Sequence, residues 1–548
     1  MAQTTVKTEP VTKGEDGATI SKVEGRFNRF ENKQTFWRHA QNGTLDRFHA
    51  EYENAVNRMR GKLGETLPLV IGGDEVRPGA TLTWNSPADR DLAVCHAASG
   101  TRRHVRDALA AAKEGFATWG TTPWQRRCEV LERAADLFTE HFYDLCASMT
   151  FETGKSRFEA SIDVDEAIDF LRFYAFTMRE TNGFRQQMGK PVPEEDCRSV
   201  RRPYGVFAVL CPFNFPVAIT TGMTAAALVT GNTVLLKPSP KGCLSGHKVF
   251  SLLKEAGVPD GALHFLTGPD EEVAAELIEN EGVDGICFTG SKKVGMHIIE
   301  TVARQGRPKP VVTEMGGKNP VIVTRNADLE KAAEGCFNAA FGFSGQKCSA
   351  GSRVYVDHDV KEDFLARLAK KATEANVGEP WKRETFLGPV IEDHKADLVV
   401  ELAEQARKDG GTVVAGGKRV DLNGNYVRPT VVTDLPLDHR VFREEFFAPF
   451  VAVAGVDGLD QGIEEANRVQ YGLTAGIMSE DPEEVEAFFE KIQAGVVYAN
   501  RAKGACTAAV VNGQSFGGWK CSGNTGNGAG GRYYLTQFTR EQSRTVVK

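Results

Sequence analysis

The sequence predicts an α/β protein built on parallel sheets, and three observations carry that prediction. From Tyr204 onward, short apolar runs alternate with helical ones. The apolar runs are of strand length and lack apolar–polar alternation, as expected where both faces of a sheet are covered. A chain of 548 residues is also too long for one core, so two large domains are expected, with room for a small third.

Taken in order, residues 1–20 are polar, with too little apolar surface to offset their ordering entropy, and read as a loose tail. Residues 32–63 read as helical with a break at Asn42-Gly43, 67–76 as a strand pair around Gly72-Gly73, and 81–87 as extended. Two long helices follow, 101–119 and 123–149. The second opens on Pro123, where a missing N–H costs little. Its Leu131, Ala134, Phe138, Phe142, Leu145 and Met149 step by three or four and so form one apolar stripe. A third helix, 158–179, carries Asp163, Asp165, Glu166 and Asp169, a run that reads as a solvated face, with Glu166 a candidate for a place near a cleft.

The α/β texture then unfolds as runs at 206–211, 233–237, 263–267, 285–289 and 310–314, separated by helical stretches at 219–229, 244–256, 271–279 and 294–303. Ligands of such sheets bind beyond the carboxyl ends of strands. A second α/β stretch spans 319–500, with strands expected at 320–323, 353–356, 412–415 and 496–498. Residues 514–531 are glycine-dense, but Phe516 and Trp519 argue for an ordered loop rather than a linker; 533–547 reads as extended.

Composition narrows the function classes. The chain is 41% hydrophobic and 25% charged, as in ordinary globular proteins, and its net charge of −7 argues against nucleic acid as a partner. Eleven cysteines are scattered without a Cys-x-x-Cys pair or metal-ligand spacing, so no metal site is expected and a reducing, cytoplasmic setting is. No apolar run reaches membrane-spanning length, and the N-terminus lacks a secretory layout, so no membrane role is expected.

Five stretches carry chemistry. Phe-Gly-Phe-Ser-Gly-Gln-Lys-Cys-Ser-Ala-Gly-Ser-Arg at 341–353 sets Cys348 in a turn between a helical run and a strand, where a thiolate can face a cleft as a nucleophile. A lone cysteine is more often a small buried hydrophobe, the reading that fits most of the others. Cys-Pro-Phe-Asn-Phe-Pro at 211–216 stiffens the backbone around Asn214, whose amide suits an oxyanion; the plain alternative is a turn residue. Val-Thr-Glu-Met-Gly-Gly-Lys-Asn-Pro at 312–320 puts Glu314 at a strand end, as a general base or as a capping carboxylate. Lys237 closes a strand in Leu-Leu-Lys-Pro-Ser-Pro, a place from which it could bond to ribose hydroxyls. Phe-Thr-Gly-Ser at 288–291 opens a helix whose N-terminus suits phosphate. No Gly-x-Gly-x-x-Gly fingerprint is present in that stretch.

Together with Glu445-Phe446-Phe447, these motifs resemble the series of the aldehyde dehydrogenase superfamily, in the same order and from about residue 67 to the end. The resemblance implies NAD(P)-dependent oxidation of an aldehyde to a carboxylate. Cys348 would attack the carbonyl, Asn214 and the Cys348 N–H would hold the oxyanion, and Glu314 would activate water to hydrolyse the thioester. Lys237, Ser239, Gly268, Gly290, Ser291, Glu445 and Phe447 would bind the cofactor. The implied fold is a cofactor domain (65–185 and 204–314), a catalytic domain (315–531) and a small β extension (186–203 with 532–548), after a tail and helical lead-in (1–64). The extension would pair subunits into a homodimer or larger even assembly.

Within the superfamily, the Cys348 stretch, Asp-Glu-Ala-Ile-Asp-Phe-Leu-Arg-Phe-Tyr-Ala from Asp165 and Phe-Gly-Gly-Trp-Lys-Cys-Ser-Gly from Phe516 are similar to 1-pyrroline-5-carboxylate dehydrogenases. That implies glutamate γ-semialdehyde as substrate, in proline catabolism, with Ser349 at its carboxylate, Phe215 and Phe516 along its methylene chain, and Glu166 near the site. Two departures keep alternatives open. The loop 502–515 is longer than in that group, with Gly504-Ala505 and Ala508-Ala509 both matching its substrate anchor, so a different aliphatic or aromatic aldehyde stays open. Pro240 stands where many NAD-preferring relatives carry an acid, so NADP stays open beside NAD. A non-catalytic member of the superfamily is the third reading, opposed by the intact Cys348, Asn214 and Glu314.

Overall fold

Residues 30–502 and 510–548 are described by the structure, a computed structural model. The tail reading at 1–20 and the pairs Gly504-Ala505 and Ala508-Ala509 lie outside them.

The first sheet runs, in spatial order, Val311–Glu314, Gly285–Thr289, Val206–Leu210, Thr233–Lys237, Leu263–Phe265, Leu69–Ile71 and Asp74–Val76. The first five are parallel; the last two form an antiparallel hairpin on the edge. The missing alternation has its cause in packing. Val206, Ala208 and Leu210 face a core with Val105, Leu109, Ile298 and Val302, while Phe207 and Val209 face another with Ala225 and Val229. Helices Arg102–Trp119 and Lys292–Arg304 thus cover one face and Ala218–Val229 the other. Register aligns the strand ends: Leu210 lies opposite Lys237, Phe288 opposite Leu210, and Thr289 opposite Glu314.

The second sheet runs Thr412–Ala415, Thr430–Thr433, Phe450–Val456, Gly351–Asp357, Asn319–Val323, Thr474–Met478 and Val496–Ala499, parallel except for its first pair. It too is covered on both faces. Val321, Val354 and Val453 pack with helix Leu329–Phe341, and Ile322, Tyr355 and Ala452 with Asp393–Lys408. Its amino ends matter most, because Asn319 pairs with Gly351 a few residues after Glu314 and Cys348. The two sheets thereby present carboxyl ends and amino ends to the same place.

An antiparallel sheet of Arg185–Gln187, Glu195–Pro203 and Thr539–Val547 stands apart, with Thr539 opposite Pro203 and Val547 opposite Glu195.

Several elements depart from the sequence reading. The stretch 123–149 is two helices, Trp124–Glu140 and Phe142–Thr153, broken at His141. Phe138, Phe142 and Leu145 are all buried, so the apolar step passes through the break and hides it. Strands Asp89–Ala98, Thr430–Thr433, Phe450–Val456 and Thr474–Met478 were not marked by the apolar runs. Residues 271–279 begin as a π-helical turn, Asp270–Ala274, before Ala275–Glu279. Within 533–547, Tyr534–Phe538 is a tight helical turn rather than extended chain, and the strand starts at Thr539. The acidic run on helix Arg157–Glu180 is not solvated: Asp163, Asp165, Glu166 and Asp169 are all buried. Partners from other elements make this burial tolerable. Asp169 accepts from the Glu31 and Asn32 amides, Asp165 from Thr35, and lysines meet Asp163 and Glu166.

Candidate active site

Cys348 is delivered by a strained, clamped turn. Helix Leu329–Phe341 is capped by Asp328, whose carboxylate accepts from the Glu330 and Lys331 amides. Beyond Gly342 the chain turns left-handed at Phe343 (φ 51°), Ser344 (φ 53°) and Gly345 (φ 67°). Two non-glycine residues in that region cost about 1–3 kcal/mol each and need enforcement. The Ser344 hydroxyl donates to the Gly388 carbonyl (2.7 Å), Gln346 Oε1 accepts from the Ile391 amide (2.7 Å), and buried Lys347 pairs with buried Glu159 at 2.7 Å. From the next strand, Asn319 Nδ2 donates to the carbonyls of Cys348 (2.7 Å) and Ala350 (2.9 Å). Cys348 itself is half-buried. Burial pushes its thiol up, and the carboxylates of Glu445, Glu314 and Glu166 add to this, so the resting sulfur holds its proton.

Asn214 follows strand Val206–Leu210 and is buried, its Nδ2 donating to the Gln346 carbonyl at 3.2 Å. That bond fixes the Asn214 amide to the backbone two residues before Cys348. Glu314 ends strand Val311–Glu314 and accepts from the Gly518 amide at 3.0 Å. Burial pushes its carboxyl up to about 8, against the pull of that amide. The glycine-dense segment is an ordered loop here. The Ser522 carbonyl accepts from the Met315 amide (2.8 Å) and Asn524 Oδ1 from the Thr313 amide (2.9 Å), so the loop docks along the Glu314 strand.

Cys348 lies on the boundary of two cavities. On one side is a cleft of about 680 Å³ whose walls include Asn214, Lys237, Ser239, Gly290, Ser291, Glu445 and Phe447. On the other is a tighter chamber of about 70 Å³, walled by Phe215, Phe516, Ser349, Glu166 and Glu314 among others. Gly268 is not part of the cleft lining: its φ is +147°, and a Cβ on it would stand 2.8 Å from the Gly100 carbonyl oxygen, so it serves a close backbone crossing.

The cleft fits a dinucleotide. Lys237 Nζ, at one end, pairs with Asp270 at 2.7 Å. Ser291 caps helix Lys292–Arg304 by accepting from the Val294 amide, and that N-terminus suits a pyrophosphate. Glu445 is held by the Gly317 amide (2.9 Å), and burial pushes its carboxyl up to about 7. Phe447 is left-handed (φ 56°), its ring edge-on to Phe213.

Sequence reasoning missed Asn319, Gln346, Asp270 and Lys155. Asn319 lies within a motif that was noticed, in Gly-Gly-Lys-Asn-Pro, and a polar residue opening an apolar strand was the available clue. Lys155 is fully buried, 3.0 Å from Asp163 and with Nζ 3.6 Å from the Phe215 ring centroid.

Known proteins resemble this chain over most of its length. The family described as aldehyde dehydrogenase matches residues 77–544. The 1-pyrroline-5-carboxylate dehydrogenase of Geobacillus thermodenitrificans is 37% identical over 510 residues, 92% of this chain and 97% of that protein. A 1-pyrroline-5-carboxylate dehydrogenase structure from Thermus with bound NAD matches with a TM-score of 0.87 at 34% identity, covering 100% of both chains. Betaine aldehyde dehydrogenase from Staphylococcus aureus in complex with NAD+ matches with a TM-score of 0.84 at 27% identity, over 91% of this chain and 97% of that one. A match over most of the chain, joined to this constellation of cysteine, asparagine and glutamate, means that the chain belongs to the aldehyde dehydrogenase family.

Proposed function

We propose that the protein oxidises glutamate γ-semialdehyde, the open form of 1-pyrroline-5-carboxylate, to glutamate with NAD, a step of proline catabolism. The observation that carries the reading is Cys348 standing between a dinucleotide-sized cleft and a narrow chamber, with Asn214 and Glu314 beside it. The Cys348 sulfur adds to the aldehyde carbon as its proton passes to solvent, leaving the charge on the former carbonyl oxygen. The Asn214 amide and the Cys348 N–H stabilise the charge that develops on oxygen. NAD, when bound, supplies the two-electron acceptor that takes the adduct to a thioester. Glu314 then takes a proton from the water that displaces sulfur, releasing the carboxylate and the thiol. Phe215 and Phe516 exclude bulk water from the chamber, which strengthens these interactions.

The choice of aldehyde is supported by the named relatives at 37% identity and by polar groups, Ser349 and Glu166, at the walls of an otherwise largely apolar chamber. Purified protein is assayed for NAD reduction with 1-pyrroline-5-carboxylate beside aliphatic and aromatic aldehydes and a Cys348→Ala control. Preference for the first substrate is expected; turnover of the others alone keeps the chemistry and overturns the substrate.

We also infer a cytoplasmic, even-numbered homo-oligomer. None of the described helices is long and apolar enough to cross a membrane. Strand Thr539–Val547 is exposed along nearly its whole length, as an edge awaiting a neighbour would be. A monomeric mass in light scattering would contradict the assembly.

A further inference from the structure

Helix Arg157–Glu180 turns two acidic faces inward. Glu159, Asp163 and Glu166 are spaced i, i+4, i+7 and share one face. Each meets a lysine from elsewhere: Lys347 at 2.7 Å from Glu159, Lys155 at 3.0 Å from Asp163, and Lys33 at 2.5 Å from Glu166. None of these six side chains is more than 10% exposed. Two of the lysines belong to the surroundings of the catalytic turn, since Lys347 precedes Cys348 and Lys155 lies over the Phe215 ring.

The third arrives on an N-terminal strap. Asp169 accepts from the amides of Glu31 (2.6 Å) and Asn32 (2.8 Å), and Asp165 from the amide (3.1 Å) and hydroxyl (2.6 Å) of Thr35. Arg172 adds an ion pair to Glu31 at 3.0 Å. Between these clamps Asn32 (φ 50°) and Lys33 (φ 59°) are both left-handed, a conformation that is uncommon for lysine. The strap is bent there, and the bend delivers the Lys33 ammonium to Glu166.

Glu166 matters because of where it stands. Of the residues lining the chamber on the far side of Cys348, only Glu166 and Glu314 bring a carboxyl group, and no lysine, arginine or histidine is among them. Glu314 already accepts from Gly518 and faces the hydrolytic step. An ammonium group entering the chamber therefore finds its acceptor in Glu166.

We infer that Lys33 is a positioning residue for aldehyde specificity: it anchors Glu166 Oε2, so that this carboxylate stands in the chamber wall and receives the ammonium group of an amino-acid aldehyde. The inference rests on the substrate reading above.

The test compares wild type, Lys33→Met, Lys33→Arg, Glu166→Gln and the Lys33→Met/Glu166→Gln double variant. Two readouts are taken: kcat and KM for glutamate γ-semialdehyde and for propanal, and calorimetric binding of glutamate, the product, without cofactor. The kcat/KM ratio of glutamate γ-semialdehyde over propanal is expected to fall about tenfold or more in Lys33→Met, mostly through KM. Glutamate binding weakens in parallel, Lys33→Arg restores both, and the double variant is no worse than Glu166→Gln alone, because both changes remove one interaction. An unchanged ratio in Lys33→Met, an equal loss on both aldehydes, no rescue by Lys33→Arg, or additive losses in the double variant would each overturn the role. A wild type without preference for glutamate γ-semialdehyde overturns the substrate reading itself, and the role of Lys33 falls with it.

Discussion

Gly316 and Glu445 meet without room for one more carbon: a Cβ on Gly316 would stand 2.0 Å from Glu445 Oε2. The next residue, Gly317, donates its amide to Oε1 of the same carboxylate at 2.9 Å. The paired glycines after Glu314 are thus the seat of a cleft carboxylate as well as a flexible link. Gly316→Ala forces Glu445 out of that seat, an overpacking that costs about 1–3 kcal/mol. NAD titrated against the purified variant, followed by protein fluorescence, is expected to bind about tenfold more weakly, with Glu445→Gln showing a similar loss. Unaltered NAD affinity in both would separate Glu445 from the cofactor.

As the proposed base, Glu314 should make the reaction pH-dependent in a defined direction. Its carboxyl is pushed up to about 8 by burial, so the protonated form is favoured in the folded protein and cannot take a proton from water below that pH. Hydrolysis of the thioester should rise with pH, pass its half-point near 8 and level off above it. Glu314→Gln should slow this step by about 10²- to 10⁴-fold, remove the inflection and leave a burst of about one NADH per site. Rapid mixing of the loaded enzyme with aldehyde reads both. A variant that keeps steady turnover with the same pH profile would mean another base.

Cys348, Asn214 and Glu314 were legible because each lies in a short motif at the end of a recognisable strand or helix. Alignment of strand ends then brings separate motifs together: Leu210, Lys237, Thr289 and Glu314 share one edge. What the sequence hid depends on partners far along the chain. The acids at 163, 165, 166 and 169 look like a solvated face because their neighbours, Lys155 and residues 31–35, come from outside the helix that carries them. Gly268 looks like a cofactor glycine, yet its lack of a side chain is used against Gly100. His141 interrupts a helix without disturbing the apolar step on either side.

Strand Thr539–Val547 is nine residues long and pairs along its length with Glu195–Pro203, but nearly all its side chains face solvent, with Val546 and Val547 exposed by 54% and 71%. The apolar anchors of the tail lie before it, at Tyr534, Leu535 and Phe538, each no more than 2% exposed. Deleting residues 539–548 should therefore leave the two large cores folded while removing the exposed edge proposed to pair copies. Light scattering is expected to show the mass of one chain for the truncated protein and a multiple of it for the full chain. An unchanged assembly would place the interface elsewhere.

Asp270 supplies the carboxylate that position 240, a proline, does not. Its Oδ1 accepts from Lys237 Nζ at 2.7 Å, and Glu271 lines the same part of the cleft. Lys237 by itself would welcome a ribose 2′-phosphate; with Asp270 on it, an incoming phosphate meets a like charge at close range. At an exposed site such a repulsion is worth about 1 kcal/mol, or about fivefold in affinity. Asp270→Asn should tighten NADP by about that factor while NAD, whose ribose has only hydroxyls there, changes little. Calorimetric titration of both cofactors, free of any turnover, decides it. Equal gains for NAD and NADP would mean that Asp270 merely blocks the cleft, and no gain for NADP would mean that selectivity is set by another wall of it.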